Sequence, residues 1–409
     1  MPRGFSYRAL TLSLTLGFVM PVVAWTYNVG LSADATTWRS TRAGDADPNE
    51  ALNEPDRFNW ELFARINQIA PQQSQIGPAQ ATTNNAIWET WADDEITFPA
   101  HPDPKSPPAW PAPGAAPAKQ LAVSTQQLFA ARLRSQASAN VPEQFRPQPV
   151  PLPRIPTEGG SEEVRRNKDS FDFIVSEKLW YVQGLQAAFR EDTPITFPIG
   201  AIEIKARWKP ISAAEQSQYH WNYDSHGKLF GLIALHIMSK AIPNWTWATW
   251  EWVGNPGRCD YIGCRDYYGA IPGVVPPNAK VGGQYPGGQL SPALLALFRQ
   301  SGLSPEWQNY RLKGSQTDFV DVTGKHSLLG NSVTEAGFVP SSSCMTCHAQ
   351  ASADAQGQFP PSVGFTPDGQ STNGAPDPTW FYNEATNPWT PKYLPIDFVW
   401  GILSAKPTI

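Results

Sequence analysis

The chain has 409 residues, a formal net charge of −5, 16% charged residues and 41% apolar ones, including 17 Trp, 19 Phe and 12 Tyr. This is enough apolar side chain to fill a sizeable core, and mild acidity without a basic patch excludes the electrostatic footprint of a nucleic-acid binder. With 41 Pro and 31 Gly, long irregular connections are expected rather than a helical bundle or a doubly wound sheet.

Residues 1–24 read as a signal peptide. Arg3 and Arg8 precede the short apolar run "ALTLSLTLGFVM", and Val22-Val23-Ala24 supplies small residues for cleavage after Ala24. No cysteine stands at that junction, which argues against a lipoprotein, and no other run is long and apolar enough to span a membrane. The mature chain is therefore expected on the far side of a bacterial inner membrane, periplasmic or extracellular.

Residues 25–160 read as N-terminal helices and a proline-rich arm. In "DRFNWELFARINQIA", Phe58, Leu62, Phe63, Ile66 and Ile69 fall on one helical face behind Pro55. Proline clusters follow between Phe98 and Ala118 and between Val141 and Pro156, where neither helix nor central strand can continue. The intervening "KQLAVSTQQLFAARLRSQ" has helical character, which suits either an arm wrapped on the body or a linker.

Residues 161–409 read as an α+β domain: a bent antiparallel sheet with flanking helices and long loops. "DSFDFIVSEKLWYV" has helical spacing. "AIEIKARW" alternates, with Ile202, Ile204, Ala206 and Trp208 on one face and Glu203, Lys205 and Arg207 on a face expected to be wet. "KLFGLIALHIMSK" is apolar on both sides, as a central strand would be. "NWTWATWEW" changes parity between Trp245/Trp247 and Trp250/Trp252, which suggests a bulge or bend.

The motif that carries chemistry is "CMTCH", with Cys344, Cys347 and His348 in five residues. In C-x-x-C-H two thiols on one turn can add to the two vinyl groups of a haem while the adjoining imidazole meets the iron. A zinc knuckle needs further ligands, and a redox dithiol needs a thioredoxin-like setting, neither of which the flanking residues offer. One covalent haem c is expected, held on a short helix against the sheet. Haem capture leaves Cys259 and Cys264 to close the small loop "CDYIGC" as a disulfide.

No Met, His or Cys follows His348, so a sixth iron ligand must come from upstream. His101, His226, His220 and His326 lie in segments that read as exposed or loop-like, or, for His326, just ahead of an expected helix "SLLGNSVTEAG". Met345 is held between the two cysteines. His236 lies in an apolar run, where a buried imidazole needs a partner. Leu232, Ala234, His236 and Met238 are expected on one strand face about 7 Å apart, so one iron takes His236 or Met238 and not both. The order is His236, then Met238, then an open position.

"FPIGAIEIKARWK", "GLIALHIMSKAIPNWTWATWEW" and "NSVTEAGFVPSSSCMTCHAQA" resemble a group of bacterial exported proteins described only as cytochrome c-like. That resemblance implies haem attachment at Cys344 and Cys347 and axial ligation by His348. It implies no reaction.

Electron transfer to an unidentified redox partner is the first functional expectation, since one haem among aromatics suffices for it. A haem enzyme or a protein binding peroxide or a nitrogen oxide at an open position is the second, with Arg207, Glu203, Glu251 and Tyr219 as candidate polar groups. A Trp-rich module binding a ligand or glycan is the third, and it requires exposed rings at Trp245, Trp247, Trp250 and Trp252. The C-terminal "PTWFYNEATNPWTPKYLPIDFVW" is expected to cover a haem edge.

Overall fold

The alternating stretch forms β3 (Ile202–Pro210) near the middle of the main sheet of a computed structural model that describes residues 48–71, 84–112, 119, 121, 161–277, 282–335, 338–358, 360 and 373–408. The signal segment, the second proline cluster and all of the expected arm helix except Lys119 and Leu121 lie outside the described residues.

Seven strands make this sheet, every pair antiparallel: β1 (Ala92–Asp93), β2 (Ser161–Arg166), β3, β4 (Trp221–Tyr223), β5 (Leu229–Ser239), β6 (Thr246–Trp252) and β7 (Tyr310–Gln316). Their order is β1-β2-β3-β5-β6-β7, with β4 pairing β5 beyond the end of β3. The doubly apolar β5 is central, as a strand covered on both faces must be.

Among the described residues seven α-helices accompany the sheet: α1 (Pro48–Asn53), α2 (Pro55–Ile66), α3 (Asp94–Thr97), α4 (Lys168–Ser176), α5 (Val182–Glu191), α6 (Pro292–Gln300) and α7 (Cys344–Ala349). Side chains of Asn167, Ser291 and Ser343 accept from the first-turn amides of α4, α6 and α7, satisfying donors that have no intrahelical partner. The architecture is α+β with open antiparallel sheets.

One face of the sheet carries Ile204, Ala206, Trp208, Leu235, Ile237, Ala248, Trp250 and Leu312 and is covered by α2 and α6. Trp60 and Phe63 of α2 meet Trp250 at ring separations of 5.7 and 5.0 Å. Ile69 lies beyond the end of α2 and is exposed, so it does not join the apolar stripe. Because β1 pairs with β2, and α2 lies in this core, the described residues of 48–112 share one body with the rest of the sheet. Lys119 belongs to it too: its ammonium lies 2.7 Å from Glu89 and 2.8 Å from Glu163, over the ring of Trp208.

Four expectations need correction. The Glu203–Lys205–Arg207 face is not wet: Glu203 and Glu162 are buried, and Glu162 pairs with both Lys205 and Arg207. Leu232 leaves the His236 face, because the β3/β5 register shifts at Arg207/Trp208 and Ile233 is the extra residue. The irregularity near the Trp-rich β6 falls on its neighbour β7, where Lys313 is bulged between Leu312 and Gly314. The described residues of "SLLGNSVTEAG" form bridges and turns and no helix.

Candidate functional site

Antiparallel register sets residues of adjacent strands side by side on one face. Lys205 stands opposite His236 and His236 opposite Thr249; one row away, Glu203, Met238, Trp247 and Gln316 form the parallel row. Both rows lie on the face opposite α2.

Helix α7 is fastened at the second row. Gln316 donates to Ser343 Oγ at 2.9 Å and its Oε1 accepts from the Met345 amide at 3.1 Å. The Trp247 ring lies 4.6 Å from the His348 ring, and Met238 and Met345 are buried in the same apolar cluster. Thr346 Oγ1 donates to Gly374 O, and Leu329 N to Ser342 O.

The C-terminal segment closes over this helix. Trp400 Nε1 donates to Cys347 O at 3.1 Å, Trp380 Nε1 to Gln350 O at 3.3 Å, and Ser352–Ala353 pairs with Leu394–Pro395. His348 Nδ1 lies 2.8 Å from Phe398 O. A carbonyl only accepts, so Nδ1 carries the proton and Nε2 keeps its lone pair. Burial, with Lys205 and His236 adding to it against the Phe398 bond, holds the His348 pKa down at about 4, so the ring is neutral at pH 7.

Cys344 and Cys347 are not joined to each other. Burial, reinforced by Glu335, pushes the Cys347 thiol up to about 11 and that of Cys344 well above its ordinary value. A reactive dithiol requires the opposite shift. Among the described residues no three His, Cys, Asp or Glu side chains converge as a metal site. Cys259 and Cys264 are disulfide-bonded, their Cα atoms 5.1 Å apart.

A loop stitches the rest of the charged face together. Asn331 Nδ2 donates to Thr249 Oγ1 at 2.9 Å, and Ser332 donates through both its amide and its hydroxyl to Glu251. Thr334 Oγ1 is 3.1 Å from His236 Nε2, and Glu335 Oε2 is 3.9 Å from the same nitrogen. Burial, aided by the nearby Lys205 cation, lowers His236 to about 3; burial raises Glu335 to about 7 against the pull of Lys205. Lys313, also buried, is lowered by burial, and its ammonium stands 3.5 Å from Glu251.

The other histidines fall elsewhere. His101, His226 and His326 are exposed. His220 is buried, contrary to its polar surroundings in sequence, because Nε2 bonds to Glu89 at 2.7 Å and the ring stacks on Trp307. Glu203 bonds to Ser170 and lies by Arg166, and Tyr219 stacks on Trp252. Trp245, Trp247 and Trp250 are buried and Trp252 is partly so; they present no exposed platform. Lys205, Lys313, Glu335 and Thr334 were not singled out by sequence as site residues. Only Lys205 carried a signal, its position on the polar side of an alternating strand.

No family model matches the chain, and no curated protein or solved structure matches it. Among the described residues no helix is long and apolar enough to cross a membrane.

Proposed function

We propose that this chain is an exported single-haem c-type cytochrome that transfers electrons, with haem c joined to Cys344 and Cys347 and its iron bound by His348. The observation that carries the reading is the combination on one helical turn of two unpaired thiols and a neutral imidazole. That imidazole's Nδ1 is committed to Phe398 O, while among the described residues no hydrogen bond engages Nε2.

The donor set fits the group. Neither thiol is spent in a disulfide, as addition to two vinyl groups requires. The fixed tautomer of His348 aims a lone pair away from the carbonyl that orients it. When bound, the haem would supply a one-electron couple at iron. The protein would exclude water from it through Trp247, Trp400 and Phe398, and a disulfide at Cys259–Cys264 suits the oxidising periplasm.

His236 is the proposed sixth ligand and Met238 the alternative. A second reading, binding of peroxide or a small nitrogen oxide at an open position, is favoured by one observation: His236 Nε2 already bonds to Thr334 and has Glu335 beside it. In that reading His236 and Glu335 would hold and move a proton, not ligate iron. Visible spectra of the matured protein in both redox states separate the two. Low-spin iron that resists carbon monoxide supports electron transfer; high-spin iron that binds it readily supports the second reading. A colourless protein overturns both.

A further inference from the structure

The carbonyl that holds His348 belongs to an unusual turn. Val399 N donates to Ile396 O at 3.0 Å, and the two residues between, Asp397 and Phe398, have φ of 48° and 71°. Left-handed residues are ordinarily glycine, asparagine or aspartate; for Phe398 the conformation drives its β-carbon against the following carbonyl. Nothing local to Phe398 favours it. Such a turn persists only where surrounding groups hold it.

Those groups are present. Asp397 Oδ1 accepts from Lys240 Nζ at 2.7 Å, and Oδ2 accepts from the Phe197 amide at 2.7 Å. Lys240 Nζ also donates to Pro243 O at 2.7 Å and lies over the Trp245 ring. Lys240 is 6% exposed, and its position is set by β5, since its amide donates to Ala201 O just past the strand end. The ion pair therefore ties the turn to the central strand of the sheet.

We propose that Lys240 and Asp397 are positioning residues for His348: their ion pair holds the left-handed turn, and the turn holds the Phe398 carbonyl against Nδ1. The inference rests on the haem reading above. An imidazole whose Nδ1–H donates to a fixed acceptor is a stronger donor through Nε2, and a stronger axial donor favours oxidised iron. Loss of the pair lets the turn relax toward right-handed backbone, the carbonyl withdraws, and the ring loses both its orientation and its added basicity.

The test is a redox titration of the matured full-length protein beside Lys240→Met, Lys240→Arg and Asp397→Asn, with the intact mass of each. All four should carry covalent haem. In Lys240→Met and Asp397→Asn the ratio of reduced to oxidised haem at a fixed potential should rise about three- to tenfold, tenfold being about 59 mV for one electron. The iron–imidazole stretching band should move to lower frequency in the same two proteins, and Lys240→Arg should restore both readouts toward wild type. Variants that melt earlier yet keep the wild-type potential and band overturn the inference. If Lys240→Met does not accumulate, Asp397→Asn decides, because Asn tolerates left-handed backbone and can still accept from Phe197. Wild-type protein of bare polypeptide mass overturns the haem reading and this inference with it, whereas covalent haem with an unmoved potential sinks only the inference.

Discussion

Lys205 and His236 stand directly opposite one another on neighbouring antiparallel strands, on the sheet face that also meets α7. The cation contributes to keeping the imidazole neutral, since burial and Lys205 both disfavour its protonation. A neutral His236 is available either to bind iron or to accept a proton. Replacing it with Ala should convert a low-spin spectrum to high spin, whereas Met238→Leu should leave the spectrum unchanged. An unaltered spectrum in His236→Ala removes it as ligand.

Attachment is checked by mass. Matured wild-type protein should weigh one haem more than its polypeptide. Cys344→Ser and Cys347→Ser should each leave a single thioether with an altered absorption band, and the double variant should lose haem on denaturation. Retention of haem by the denatured double variant would contradict attachment at these thiols.

Removing Lys119 should be costly. Its ammonium bridges Glu89 and Glu163, both buried, and Lys119 is a main reason, with His220, that the Glu89 carboxyl stays ionised despite burial. Lys119→Met removes the cation shared by two carboxylates that water cannot reach and leaves Glu89 to His220 and Glu163 to Arg165, a loss of about 3 kcal/mol. Urea denaturation should show it, and a change below about 1 kcal/mol would mean the segment around residue 119 is not anchored there.

Stability should fall as pH rises toward neutrality because of Asp266. Burial, helped by Asp56 and opposed by donation from Gly269, Trp60 and Tyr268, raises its pKa from 3.8 to about 7. The folded state thus holds a proton that the unfolded state releases near pH 4. The contribution is fully present below about pH 4 and is lost as pH rises through 7, on the order of 2–4 kcal/mol. Asp266→Asn should flatten that part of the pH profile, read from urea midpoints between pH 4 and 8. An equal slope in both proteins assigns it to other groups.

The strands were legible where alternation reports geometry directly: Ile202 to Trp208 and the run through β5 read as strands and are strands. Their surroundings were not legible. Alternating Glu203, Lys205 and Arg207 look the same whether the far side meets water or a second charged layer, and the deciding partners, Glu162 and Glu335, arrive from distant segments. His220 misled for the same reason, its partner Glu89 being 131 residues away. Leu232 changed face because a one-residue bulge at Ile233 leaves no mark in composition. The CxxCH expectation rests on neighbours in sequence alone. The turn whose Phe398 carbonyl meets His348 was hidden, since Asp397 and Phe398 contain no glycine to announce it.

The strip from Trp380 to Trp400 is bolted across the rear of α7 through Gln350, Cys347 and His348, and it is translated after that helix. During export the two sulfurs would thus emerge while their cover is still being delivered. On the haem reading, that order would leave an interval for a maturation enzyme to stitch in the pigment before the arriving tail shuts over it. Slowing release of the tail should lengthen that interval, and premature docking of it should yield an unpigmented dead end.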